Sequence, residues 1–148
     1  MDHNLKQVLI KEIDKAKKYK ITLEHSFTKA QKIQTKSFDQ YTIDELDILE
    51  TLTSRFARSS DILIKKIFRI FESIDLEEKG TIRDLINQAE KKEIIDSADD
   101  FIKIRELRNL IAHEYQEDDL NTIFQDVLKF TPTLLRSIDK VISYASKY

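Results

Sequence analysis

Leu5, Leu9, Ile13, Ala16, Tyr19, Leu23, Phe27, Ala30 and Ile33 step through the start of the chain by threes and fours. That spacing lines one face of a single helix, and Lys and Glu fill the other face. No segment of useful length alternates as a strand would. Such a run needs few backbone breakers, and 148 residues hold one Gly (Gly80) and one Pro (Pro132). At about 1.5 Å per residue this first helix is roughly 45 Å long. The chain therefore reads as all-α. We expect an elongated up-down helical bundle with two long N-terminal helices, a short helix, a helix carrying a polar motif, and a Pro-kinked C-terminal helix. Residues 1–148 read as a single helical domain, long enough to bury a real core.

The remaining boundaries follow from local signals. A polar break at about 34–41 precedes Thr42 and Glu45, whose T-x-x-E spacing is a capping box. Leu46, Leu49, Leu52, Phe56, Leu63, Ile67, Ile70 and Ile74 continue the apolar stripe of that second helix. Ile62, Ile64, Phe68 and Phe71 widen it, so its second half should be buried on more than one side. The fold's own helices or a second subunit could supply that cover. Its middle is polar: Arg55, Arg58 and Asp61 bracket Ser60. Two readings stay open there, a solvated stretch with local Arg–Asp pairs or the lining of a cleft. Residues 77–80 form a loop. Thr81 with Asp84, and Ser97 with Asp100, mark two further helix starts. A turn is expected at 114–119. Pro132 should kink the last helix or divide it in two, because it lacks a donor and crowds the Leu128 carbonyl.

Composition removes several chemistries. Without Cys there is no disulfide framework, no Cys-ligated zinc and no thiol nucleophile. A single Gly cannot build a Gly-rich phosphate loop or a dinucleotide fingerprint. No apolar run is long enough to cross a bilayer, and the N-terminus lacks the apolar core of a signal peptide. A cytoplasmic protein without membrane contact is expected. The balance of 25 Lys and Arg against 27 Asp and Glu gives a net charge of −2, so any nucleic-acid contact must be local. His3 and His25 read as solvated or structural, and no His pair has metal-ligand spacing. No metal and no cofactor are expected.

The chemistry-bearing stretch is Arg108-Asn109-Leu110-Ile111-Ala112-His113-Glu114-Tyr115. Helical rotation puts Ile104, Leu107 and Ile111 on an inward face. Opposite them fall Ala98, Ile102, Arg105, Asn109, Ala112 and His113, with Arg108 at the edge. Small residues beside Arg, Asn and His make a shelf that can accept another helix or present cations to an anion. Arg108 and His113 are separated by about 140° and about 7.5 Å along a helix. They converge only if the helix ends near His113, or if two copies of the shelf meet across a twofold axis.

Arg108-Asn109-x-x-x-His113-x-Tyr115 resembles the R-N-x-x-x-H-x-Y signature of HEPN domains, and most of all the HepT-type toxins of toxin–antitoxin pairs. The resemblance covers most of the chain and agrees with its helical order. It implies a homodimeric bundle with a cleft between subunits, acting as a metal-independent ribonuclease on an RNA substrate. The family's catalytic pair maps to Arg108 and His113. Asn109 and Arg105 would orient His113 or bind phosphate. Arg55, Arg58 and Asp61 would line the cleft. The resemblance further implies a partner chain, a minimal nucleotidyltransferase antitoxin that transfers AMP to the motif tyrosine, here Tyr115. This sequence has no G-S-x…D-x-D motif of its own for that transfer.

Two other readings compete. One is a non-catalytic HEPN subunit that binds a nucleotide or the nucleotidyltransferase in the same cleft. The other is a bundle in which these residues are only structural. Arg108 would then pair with Glu106 or with Asp118 and Asp119, His113 would cap a helix C-terminus, and Tyr115 would pack as an aromatic.

Overall fold

The computed structural model describes residues 2–113 and 117–148, and those residues contain helices and no strand. Helix α1 spans His3–Ala30. Asp2 caps it by accepting the Asn4 amide at 2.8 Å. The apolar stripe is its inner face: Leu9, Ile13, Ala16, Leu23 and Ala30 are buried, and Tyr19 and Phe27 are half-buried. The helix stops short of Ile33 and tightens into a turn, where Ile33 N–H reaches the Ala30 carbonyl.

The second long segment is one rod built from three pieces. Helix α2 spans Ile43–Asp61, a π-helical stretch covers Ile62–Ile67, and α3 covers Phe68–Ile74. Thr42 and Glu45 form the expected capping box, with Glu45 N–H donating to Thr42 Oγ1 at 3.1 Å. The π-helical stretch departs from the uniform helix implied by the stripe. A tighter i→i+4 ladder would rotate one of three consecutive apolar residues outward. With the wider turn Ile62, Leu63 and Ile64 are all buried. The cover for this wide apolar arc comes from the chain's own helices. Phe68 meets Phe101 at a ring separation of 5.7 Å, and Phe71 meets Tyr144 at 4.8 Å.

Helix α4 spans Ile82–Lys91, with a Thr81/Asp84 capping box. The preceding loop is tied down by buried Glu72, which accepts the Gly80 amide, while Arg69 donates to the Gly80 carbonyl. After α4, Glu93 adopts a left-handed backbone (φ 61°) that turns Ile94 and Ile95 into the core. Helix α5 spans Ala98–Ile111 and is capped by Ser97. Ala98, expected on the solvent face, is buried, because its amide donates to Glu90 Oε2 and pins the helix start against α4. Helix α6 spans Glu117–Ala145. It begins inside the stretch expected to be a turn. It also runs through Pro132 as one continuous helix, so the expected division into two does not occur. Neighbouring Thr131 and Ser137 side chains donate back to the Val127 and Thr133 carbonyls.

Contacts set the directions. Arg55 reaches Thr22 while Arg58 reaches Tyr19, so α1 and the rod run antiparallel. Asp61 meets Arg108 while Phe68 meets Phe101, so α5 also opposes the rod. At one end of the bundle Asp75 gathers Tyr144, Tyr148 and Lys92, which closes the C-terminus onto α3 and α4. No helix among the described residues is long and apolar enough to cross a membrane.

Candidate functional site

Arg108 lies in the last turn of α5, where the guanidinium also opposes the negative end of the helix dipole. Its partner is Asp61, the last residue of α2, immediately before the π-helical stretch. The pair is bidentate: Nε donates to Oδ1 at 2.6 Å and Nη2 to Oδ2 at 2.8 Å. Two parallel charge-assisted bonds fix both the position and the plane of the guanidinium. Among the described residues Glu106, a candidate partner by sequence, makes no ion pair, and Asp61 receives a second cation, Lys65, at 3.6 Å.

Around this pair opens a cleft of about 200 Å³, lined by Asp61, Lys65, Arg105, Arg108, Asn109 and apolar Ile64 and Ile82. Three cations share it with one carboxylate. Arg105 is half-buried and has no carboxylate within ion-pair distance among the described residues. The arrangement suits an anion with several acceptor oxygens: one guanidinium locked in plane, a second without a counter-charge, and an amide side chain beside both. Arg108 also borders a second, more open cleft of about 290 Å³ nearer the start of α2, which includes Glu50, Ser54, Ala112 and Phe124. The guanidinium thus stands on a ridge between two hollows.

The C-terminus of α5 decides where His113 goes. The helix ends at Ile111, and the amides of Ala112 and His113 turn back to the Asn109 and Leu110 carbonyls at 3.2 and 3.0 Å. His113 is exposed just beyond this tight turn. The helix thus ends two residues before His113, which is not among the residues lining either cleft beside Arg108. Asn109, Ala112 and Leu110 are exposed beside it, and Leu110 is half accessible despite its apolar side chain. Tyr115 lies outside the described residues.

Asp61, Arg105, Arg108 and Asn109 line one cleft within the chain. Arg55 and Arg58 do not join them. Both point across to α1, where Arg55 donates to the Thr22 carbonyl and Ser26 Oγ, and Arg58 sits over the Tyr19 ring. Six residues of helix turn Arg55 about 120° from Asp61, whereas Arg58, only about 60° away, is drawn to α1 by its contact with the Tyr19 ring. Lys65 was not singled out by sequence, although its i,i+4 spacing from Asp61 marks it as a neighbour. Ser59 and Ser60 on the same helix are both fully buried, and among the described residues the Ser59 hydroxyl has no hydrogen-bond partner. Comparison with protein-family models, curated proteins and solved structures gives no match.

Proposed function

We propose that this protein is a HepT-like ribonuclease toxin that cuts RNA without a metal ion in a cleft formed between two copies of the chain. The observation that carries the reading is the cleft holding Arg105, Lys65 and Asn109 around an Arg108 that Asp61 locks in plane. An RNA phosphodiester offers the oxygens this cluster would accept. The 2′-hydroxyl attacks the adjacent phosphorus and gives its proton to a base. The bond from phosphorus to the 5′-oxygen breaks, and that oxygen takes a proton from an acid. A histidine can serve either role near neutral pH, so two His113 side chains in a dimer would supply both. Arg108 would stabilise the charge that accumulates on the phosphoryl oxygens. The exposed Leu110, Asn109 and Ala112 give α5 a surface that a second copy can cover.

Regulation follows from the same resemblance. A separate minimal nucleotidyltransferase acts as antitoxin by transferring AMP to the Tyr115 hydroxyl, which adds a negative phosphate and bulk to the motif. The test is RNA cleavage by the purified protein in EDTA, with and without that transferase. Arg108→Ala and His113→Ala should each lose activity by at least about a hundredfold while keeping the wild-type circular dichroism. Tyr115→Phe should stay active and should accept no AMP. A well-folded His113→Ala protein with full activity would remove the catalytic assignment. A protein that binds the transferase stably and never cuts RNA would be the non-catalytic subunit instead.

A further inference from the structure

We propose that a second cleft, between α1 and α2 and away from the Asp61–Arg108 site, binds a phosphate group. It has a volume of about 200 Å³, and its polar lining comes from His25, Ser26 and Lys29 on α1 and Asp47, Thr51 and Arg55 on α2. The argument starts from Arg55, a half-buried guanidinium held by one of its nitrogens. Nη1 donates to the Thr22 carbonyl at 3.1 Å and to Ser26 Oγ at 2.7 Å. Ser26 is buried, so this anchor is rigid. Both acceptors are neutral. Among the described residues neither Nε nor Nη2 has an acceptor.

Most other half-buried cations in this fold, Arg105 excepted, have a carboxylate partner. Lys36 takes Glu45, Arg69 takes Glu72, Lys92 takes Asp75 and Glu77, and Arg108 takes Asp61. Among the described residues no carboxylate comes within ion-pair distance of Arg55, Lys29 or His25. Asp47 borders the cleft without closing on any of them. Arg55 and Lys29 face one carboxylate, Asp47, which leaves a net positive charge.

A guanidinium with an unused fork, a lysine and a threonine hydroxyl match a tetrahedral oxyanion. The phosphate can belong to a free phosphomonoester or to a phosphodiester of an RNA strand. The cleft does not depend on the ribonuclease reading, since none of its residues belongs to that site.

Titration of the full-length protein by two-dimensional amide NMR at constant ionic strength separates these possibilities. Inorganic phosphate and a short single-stranded oligoribonucleotide are the two probes, and chloride is the control. Shifts should concentrate on residues 25–29 and 47–55, at phosphate concentrations up to about 10 mM. Response to the oligoribonucleotide alone would assign the phosphodiester, and response to phosphate alone would assign the monoester. Arg55→Gln should weaken binding by about tenfold, and Lys29→Gln, which removes no internal contact, should weaken it by a smaller factor. Arg108→Ala should leave these shifts unchanged. The proposal is overturned if neither probe shifts these amides, or if Arg55→Gln and Lys29→Gln bind as the wild type does.

Discussion

Replacing Asp61 with Asn keeps the size of the side chain and removes its charge. The amide can accept one of the two hydrogen bonds from Arg108, but its NH₂ faces the other donor. The bonds at stake are 2.6 and 2.8 Å long, and the two side chains are 24% and 30% exposed. Charge-assisted hydrogen bonds contribute about 1.5–3 kcal/mol when shielded, whereas exposed ion pairs contribute about 0.2–1 kcal/mol. A pair with roughly three-quarters of its surface covered falls between, at about 1–2 kcal/mol of coupling. Lys65, at 3.6 Å from Asp61 and half exposed, adds little. A double-mutant cycle of Asp61→Asn and Arg108→Gln, read by urea unfolding, should return that coupling. For a chain of this length the Asp61→Asn protein should melt about 2–8 °C lower. In the RNA assay the same substitution should lower kcat more than it raises KM, because Arg108 is still present and only its plane is released. A coupling energy below about 0.3 kcal/mol would mean that the bidentate contact is not held in solution, and the positioning argument would fail with it.

Other expectations rest on separate features. Ser59→Ala should stabilise the protein by up to about 1 kcal/mol, because it removes a fully buried hydroxyl without a partner; a destabilised variant would show that the hydroxyl is bonded. Gly80→Ala should cost about 1–2 kcal/mol in urea unfolding, since a Cβ there would lie 2.6 Å from the Asp84 Cβ inside the α4 capping box. The Asp75 cluster predicts a pH response. Burial would raise the Asp75 carboxyl, but hydrogen bonds from Tyr148, Lys92 and Tyr144 outweigh it and hold the group below its ordinary 3.8. Its stabilising contribution is therefore present above about pH 4 and is lost as the pH falls through the lower folded-state value. Burial depresses Lys92, yet Glu77 and Asp75 carry it above its ordinary 10.5, so its contribution is present below that pH and lost above it. Thermal melts of Asp75→Asn should be flatter than wild type at both extremes; identical acid and alkaline limbs would separate the cluster from stability.

How much was legible in advance divides along sequence separation. Helix starts at Thr42, Thr81 and Ser97 needed only a hydroxyl and an amide three residues on, and the structure has all three bonds. The buried face of α1 needed only the 3.6-residue period. The motif on α5 was visible as a string of residue types, and the end of its helix fell close to His113. Arg55 and Arg58 show the limit of such reading. Their nearness to Asp61 in the chain suggested one shared cleft, but both find their partners on α1.

The sequence by itself determined an all-helical chain, the capped starts of its helices and the polar residues exposed at the end of α5, because period and capping act within one or two turns. Only the tertiary structure decided what those polar residues do to one another. Asp61 and Arg108 are 47 positions apart, and no local rule pairs them. Their meeting requires the antiparallel packing of α5 on the rod, and the π-helical turn is where that packing buries Ile62, Leu63 and Ile64 together. The same packing left Arg55 with neutral acceptors and gave Arg108 a carboxylate. Which cation is neutralised depends on what lies across the interface, and chain order does not carry that information.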